Sequence, residues 1–241
     1  MLHAILSDIH GNLEALQAVL EDIDRRGVTR IVCLGDFVGY GASPNECIEV
    51  LRPRIEAAVA GNHDLAACGR LKLGYFNPDA ASAARWTDVQ LSDVNRAYLE
   101  TLPFSIRWRG MLLVHSSPSS PGEWHYVLSP ADAEEEMRAY EESVCLIGHS
   151  HYPGTFDWNS RSIRYTREPA IRLEQGHRYL VNVGSVGQPR DGDARAAYLL
   201  YDDGVRVVTH VRLDYDIPVA MQRIVEAGLP RFLAERLRWG E

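Results

Sequence analysis

The sequence predicts an α/β fold. Strand, helix and strand alternate with short connections through the first third of the chain, which implies a parallel sheet with right-handed crossovers. After residue 151 the pattern changes to short strands separated by turn signals. Between the two lies a stretch, about 65–104, that reads as helical.

Taken in order, Leu2–Leu6 reads as a buried strand. Asn12 then caps an amphipathic helix with Leu13, Leu16, Val19, Leu20 and Ile23 on one face, and Gly27 stops it. Ile31–Leu34 is a second strand, Ser43-Pro44 opens a short helix that runs through Leu51, and Ala57–Ala60 is a third strand. In the helical stretch Ser92 is an N-cap and Pro103 a stop. Ser105–Trp108 and Met111–Val114 pair as a hairpin about Arg109-Gly110. Ser129-Pro130 starts another helix, and Val144–Ile147 is again a strand. Strands follow near Thr155–Trp158, Ile163–Thr166, Arg178–Val183, Ala197–Tyr201 and Val205–Val211, the last pair joined at Asp202-Asp203-Gly204. Two short helices, split near Gly228-Leu229-Pro230, end the pattern. No repeat or linker interrupts it, so residues 1–241 are expected to form one domain.

Bulk properties narrow the function. A formal net charge of −8 argues against nonspecific duplex DNA binding, which needs a basic footprint. The four cysteines form no CxxC pair, and Cys33 and Cys145 sit in apolar runs, as buried free thiols of a reducing compartment would. The N-terminal stretch MLHAILSDIHGN has no basic leader, and its apolar run is far too short to span a bilayer. A cytoplasmic protein without a membrane partner is expected, and nothing in the sequence specifies an oligomeric state.

Five places share one grammar, an apolar run followed by side chains able to bind metal: AILSDIH, IVCLGD, AAVAGNHD, LLVHSS and VCLIGHSH. The carboxyl ends of strands in α/β sheets line one edge, where ligands bind. Strand ends therefore gather Asp8, His10, Asp36, Asn62, His63, His115, His149 and His151 from distant parts of the chain. Imidazole, carboxylate and amide donors without thiolate suit a borderline divalent metal. So many donors are too many for one tetrahedral ion and suit two ions sharing a carboxylate. Two metals about 3.5–4 Å apart clamp a phosphoryl group and turn bound water into hydroxide. Any block alone is weak, since an Asp-x-His at a strand end is more often a turn with a solvated histidine. All five together are not.

In order and content the blocks resemble the calcineurin-like metallophosphoesterase superfamily. The later NVGSVGQPRDGD is similar to its small bacterial branch of YfcE-like phosphodiesterases and phosphatases. The resemblance implies a four-layer α-β-β-α sandwich, two mixed sheets packed face to face with helices outside. It also implies roles for matching positions. Asp8, His10, Asp36 and His151 would hold one ion, while Asp36, Asn62, His115 and His149 would hold the other, with Asp36 bridging. Manganese is the first choice, with iron, zinc or nickel as alternatives. His63 would be the general acid for the leaving oxygen and Asp64 would orient it. The implied activity is hydrolysis of small phosphomonoesters or phosphodiesters by metal-bound hydroxide.

Two departures bear on substrate. Ser/Thr phosphatases and symmetrical diadenosine tetraphosphatases carry an Asp-Arg-Gly element with a phosphate-clamping arginine after the bridging aspartate. Here the stretch is GDFVGYGASP, without arginine, which counts against both classes. Relatives often read Asn-Pro-Gly where this chain has Asn182-Val183-Gly184, a change expected to alter loop stiffness rather than chemistry. GYGASP lacks the third glycine of a dinucleotide loop, and VGSVG has Val183 where a serine nucleophile elbow needs glycine. His3, His125, His177 and His210 lie outside the blocks, with His125 nearest the expected site mouth. Tyr75, Phe76 and Trp86 in the 65–104 insert read first as aromatics packed on the core. The second reading makes the insert a cap that selects substrate, together with Arg70, Lys72 and Arg85. Outside the phosphoesterase reading stand a metal-dependent nuclease, disfavoured by the acidic charge, and a non-catalytic scaffold on the same fold. Scaffold relatives tend to lose His63 or metal ligands, and this chain keeps them all.

Overall fold

In the computed structural model, which describes residues 1–241, β1 (Leu2–Leu6), α1 (Leu13–Arg25), β2 (Ile31–Cys33), α2 (Pro44–Leu51) and β3 (Ile55–Ala58) come first. Three helices follow: α3 (Asn62–Ala67), α4 (Pro78–Gln90) and α5 (Asp93–Glu100). β4 (Ser105–Trp108) and β5 (Met111–Val114) form a hairpin, and α6 (Pro130–Met137) precedes β6 (Val144–Ile147). Next come β7 (Gly154–Trp158), β8 (Ile163–Thr166), β9 (Ala170–Arg172), β10 (Arg178–Asn182), β11 (Ala196–Asp202) and β12 (Val207–Leu213). α7 (Ile217–Glu226) and α8 (Arg231–Glu235) are the last helices. None is long and apolar enough to cross a membrane.

The strands form two mixed six-stranded sheets, ordered β3-β2-β1-β11-β12-β9 and β4-β5-β6-β10-β7-β8. β1, β2 and β3 run parallel, as do β5, β6 and β10, and the remaining neighbours are antiparallel. Alternation along β1 explains the layering. Ala4 and Leu6 pack with Leu16, Val19 and Ile23 of α1 and Ile48 and Leu51 of α2, so helices cover that face. Ile5 points the other way, among Val32, Leu113, Leu146 and Val181, the seam between the sheets. Beyond the second sheet, Cys145 and Ile147 of β6 pack against Ala133 and Met137 of α6. The result is the four-layer α-β-β-α sandwich. All four cysteines are buried and free.

Local chemistry accounts for most boundaries. The Asn12 side chain accepts from the Ala15 N–H at 3.1 Å and starts α1, and Ser129 and Asp132 form a capping box on α6. Arg109 and Gly110 both take positive φ, +50° and +75°, the requirement of a tight hairpin turn. Some expectations fail. The third strand begins at Ile55, not Ala57, and ends at Ala58, because the apolar run continues into the turn that carries Asn62. The 65–104 stretch is helical as expected, in three helices, but the first of them already begins at Asn62. β9, a three-residue edge strand with one large apolar residue, Ile171, has no periodicity to betray it.

Buried Asp22 ties α1 to the sheet by accepting from Tyr198 OH at 2.6 Å, Arg26 Nε at 2.7 Å and Arg25 Nη2 at 3.1 Å. Burial opposes its charge, but hydrogen bonds from Arg26, Tyr198 and Arg25 outweigh it and hold the carboxyl below its ordinary value. A depressed folded pKa contributes stability above the unfolded pKa, and the contribution fades as pH falls through the folded value. Asp22→Asn is therefore expected to cost on the order of 1.5 kcal/mol at neutral pH. The deficit should shrink in denaturant titrations below about pH 4, and a deficit independent of pH would remove the charge from the account.

Candidate metal centre and its pocket

Every ligand-type residue of the five blocks lies at one edge of the sandwich. Asp8 and His10 follow β1, Asp36 follows β2, and Asn62 and His63 form the first turn of α3. His115 follows β5, and His149 and His151 follow β6. All are buried. Three groups have ligand atoms within 4.8 Å of one another: Asp8–His10–His151, Asp36–His115–His149, and His10–Asp36–His63 between them. In the first, His151 Nε2 lies 3.0 Å from His10 Nε2 and 3.1 Å from Asp8 Oδ1. Asp36 Oδ2 faces both ligand sets, 3.7 Å from His10 Nε2 and 3.3 Å from His115 Nε2.

The histidines are oriented from behind. His10 Nδ1 pairs with the Val38 carbonyl at 3.1 Å, His115 Nδ1 with Leu34 at 2.7 Å, and His151 Nδ1 with Gln188. His149 is reversed, its Nε2 on the Trp124 carbonyl at 2.9 Å. A ring N–H given to a carbonyl leaves the opposite lone pair free for a metal. Nε2 is thus turned toward the centre on three rings and Nδ1 on His149. Asp8 Oδ1, Asn62 Oδ1 and His115 Nε2 are buried and make no hydrogen bond. Such orphans are costly in a protein interior, and a divalent cation is the partner that lone-pair donors of this kind accept. The residues fit a metal.

Electrostatics agree. Burial pushes His10 and His151 down, His63 to about 4 and His149 to about 3, so these rings are neutral, the form that ligates. His115 differs: burial lowers it, but the Asp36 and Asp8 carboxylates outweigh that and raise it to about 9. Burial would raise Asp8 and Asp36, yet the facing imidazoles hold both below their ordinary range.

Asp64 does not take the place expected of it. Its carboxylate accepts the N–H groups of Asp36 at 2.9 Å, Gly61 at 3.0 Å and Val38 at 3.3 Å, and His63 Nδ1 has no hydrogen-bond partner. Rooted in the first turn of α3, Asp64 reaches the strand-end turn rather than the neighbouring ring. It anchors the turn that carries Asp36.

Above the centre is a cavity of about 470 Å³. Its floor includes Asp36, Asn62, His63, His149 and His151, and its walls are Tyr40, Phe76, Trp124 and Tyr126, with Arg190 at the side. The insert contributes Leu71, Tyr75, Phe76, Asn77 and Ala80. Trp86 instead packs, as expected, on the cluster of Ala80, Ala83 and the C-terminal helices, and the basic residues of the insert do not line the cavity. Exposed His125 also stays outside, while its neighbours Trp124 and Tyr126 enter. Sequence reasoning missed Tyr40, Trp124, Tyr126 and Arg190. The only available signal was their position beside the blocks or in NVGSVGQPRDGD.

A two-sheet sandwich that collects histidine and aspartate at its strand ends, beneath a small pocket, is the architecture of a metal-dependent hydrolase. The chain belongs to the calcineurin-like phosphoesterase superfamily, whose domain matches residues 1–204. It is 41% identical over 241 residues to the uncharacterized protein MJ0912 of Methanocaldococcus jannaschii, covering 98% of this chain and 97% of that protein. The crystal structure of a metallophosphoesterase from Sphaerobacter thermophilus matches with a TM-score of 0.88 at 38% identity, over 100% of this chain and 99% of that one. Hypothetical protein PH1004 of Pyrococcus horikoshii shares the fold, with a TM-score of 0.80 at 21% identity over 100% and 98% of the two chains.

The turn after β6 has no room for a side chain at Gly148, where a Cβ would fall on Ser7 Oγ and Asp8 Oδ2. Gly148→Ala must displace Asp8 or the His149–His151 turn, and is expected to cost about 1–3 kcal/mol together with bound metal. Elemental analysis and thermal unfolding of the variant check this. Wild-type metal content would show that the turn has slack.

Proposed function

We propose that the protein hydrolyses small phosphate esters with a pair of divalent ions, manganese first, with iron, zinc or nickel as alternatives. Asp8, His10, Asp36 and His151 hold one ion, Asp36, Asn62, His115 and His149 hold the other, and Asp36 bridges. The observation that carries this reading is the position of Asp36 Oδ2 between His10 and His115. When bound, the ions supply Lewis-acid charge at the phosphoryl oxygens and a water of lowered pKa.

The chain's own residues do the rest. Tyr40, Phe76, Trp124 and Tyr126 exclude water around the ester group. His63 lines the cavity with its ring 4.3 Å from Tyr40 and 5.0 Å from Phe76, centroid to centroid, and gives its proton to the leaving oxygen. Burial keeps this ring neutral when the pocket is empty, and the negative charge of a bound phosphate favours its protonation. The insert at 65–104 caps the site with Tyr75 and Phe76. A nuclease is disfavoured by the pocket's small volume and the chain's charge of −8.

Metal analysis after purification without chelator should approach two ions per chain, and a value held at one under saturating manganese would sink the binuclear assignment. Asp36→Asn should lose both ions, whereas His151→Ala should lose mainly one, because water can fill a terminal vacancy.

His63→Ala should keep both metals and lose activity according to the leaving group. An alkyl phosphate should suffer a loss of about 10²–10⁴-fold, and a nitrophenyl phosphate, whose phenolate leaves without a proton, a smaller one. Equal fractional losses with both metals present would remove His63 from the acid role.

A further inference from the structure

Arg190 is the one lysine or arginine that lines the cavity, and none of the five blocks accounts for it. Its loop is stitched to the metal centre. Val186 N donates to Ser7 O at 3.0 Å, Gly187 N to Asp8 O at 2.9 Å, and Ser185 Oγ to Asp8 O at 2.8 Å. The Gln188 carbonyl holds the His151 ring. Any motion of Asp8 or His151 therefore carries the loop with it.

The guanidinium is half-buried and bonded only to neutral oxygens. Nε and Nη2 donate to Gln188 Oε1 at 3.3 and 2.9 Å, and Nη2 also donates to Tyr40 OH at 3.2 Å. Its carbon lies 5.7 Å from the Tyr40 ring centroid, and the Tyr40 ring in turn lies 4.3 Å from that of His63, tilted by 50°. Nη1 makes no hydrogen bond, and no carboxylate lies within ion-pairing distance. A partly desolvated cation without a counterion is unfavourable in an empty pocket, and an anionic ligand removes the penalty. Two divalent ions on two carboxylates also leave the centre net positive, and Arg190 adds to that charge. The site as a whole favours an anion carrying more than one charge.

We infer that Arg190 is a specificity-determining residue whose guanidinium binds a terminal oxygen of a phosphomonoester dianion, and so sets a preference for monoesters over diesters. The inference rests on the phosphoesterase reading above. A monoester has three terminal oxygens, so two can face the ions and one remains for Arg190. A diester has two terminal oxygens and one charge, and in the third position carries an uncharged ester oxygen that accepts poorly from a guanidinium. Arg190 thus supplies from the far end of the chain the cation that GDFVGYGASP lacks.

The test compares wild type, R190A and R190K on p-nitrophenyl phosphate and bis-p-nitrophenyl phosphate, which share a leaving group. For R190A, kcat/KM on the monoester should fall about 100-fold and on the diester less than about 3-fold. R190K should fall between, since a point charge lacks the planar fork. Calorimetric binding of inorganic phosphate to the manganese-loaded protein should weaken in parallel, dimethyl phosphate binding should not, and metal content should stay at the wild-type value. Equal losses on both esters, or an unchanged ratio, overturns the proposal. Should R190A lose metal, R190K decides: an unchanged ratio with metal bound overturns it. If wild type turns over neither ester, the phosphoesterase reading fails instead, and phosphate binding alone decides Arg190, with unchanged affinity in R190A overturning its role.

Discussion

Five of the seven proposed ligand side chains stand on backbone that L-residues avoid. Asp8, His10, Asp36, His149 and His151 have φ of +55°, +51°, +52°, +64° and +63°. Left-handed backbone costs roughly 1–2 kcal/mol per residue, so each turn must be over-determined by its surroundings. It is. The Asp36 carbonyl accepts from Ile9 N at 2.8 Å and His10 N at 3.0 Å, while Asp36 N is held by Asp64. His149 N donates to Asp8 Oδ2 at 3.0 Å, and His10 O accepts from Gly41 N at 2.9 Å. Each strained turn is fastened by a neighbour that is itself fastened.

A cation would therefore meet a preformed cage. The backbone entropy of gathering these side chains is met by folding, so an ion would not have to order them. Tyr40 and Trp124, at φ +59° and +60°, extend the same device to the pocket wall. Trp124 joins wall to floor, since its carbonyl fixes the tautomer of His149 while its ring lines the cavity. Shape above the centre and ligand orientation within it are thus one mechanical unit.

The convergence of these aspartates and histidines was legible because strand ends are marked twice, by an apolar run and by an abrupt polar residue. β1, β5 and β6 fall on their expected boundaries for that reason. The pocket wall was not legible, because Tyr40, Trp124 and Arg190 sit in loops where no period constrains the side chain. Asp64 shows the limit of motif reading. Its place beside His63 suggested a partner for the ring, but a residue in the first turn of a helix can equally reach N–H groups of an adjacent turn, and three such donors outcompete one imidazole. The mixed topology of the sheets came from the resemblance and not from the apolar pattern, since a buried antiparallel strand such as β11 is as uniformly apolar as a parallel one.

The pairing of β1 has a consequence for how the protein is made. β1 lies between β2 and β11, with Leu2 opposite Asp202, and the turn bearing Asp8 is closed by residues 185–187. At roughly 5–20 residues per second, a ribosome spends on the order of ten seconds or more between synthesising Asp8 and synthesising the loop that encloses it. Throughout that interval the early members of the cluster lack the loop that closes their turn. The strained cage exists only after the C-terminal half has docked. A cation that needs the closed cage would then have only the finished chain to bind.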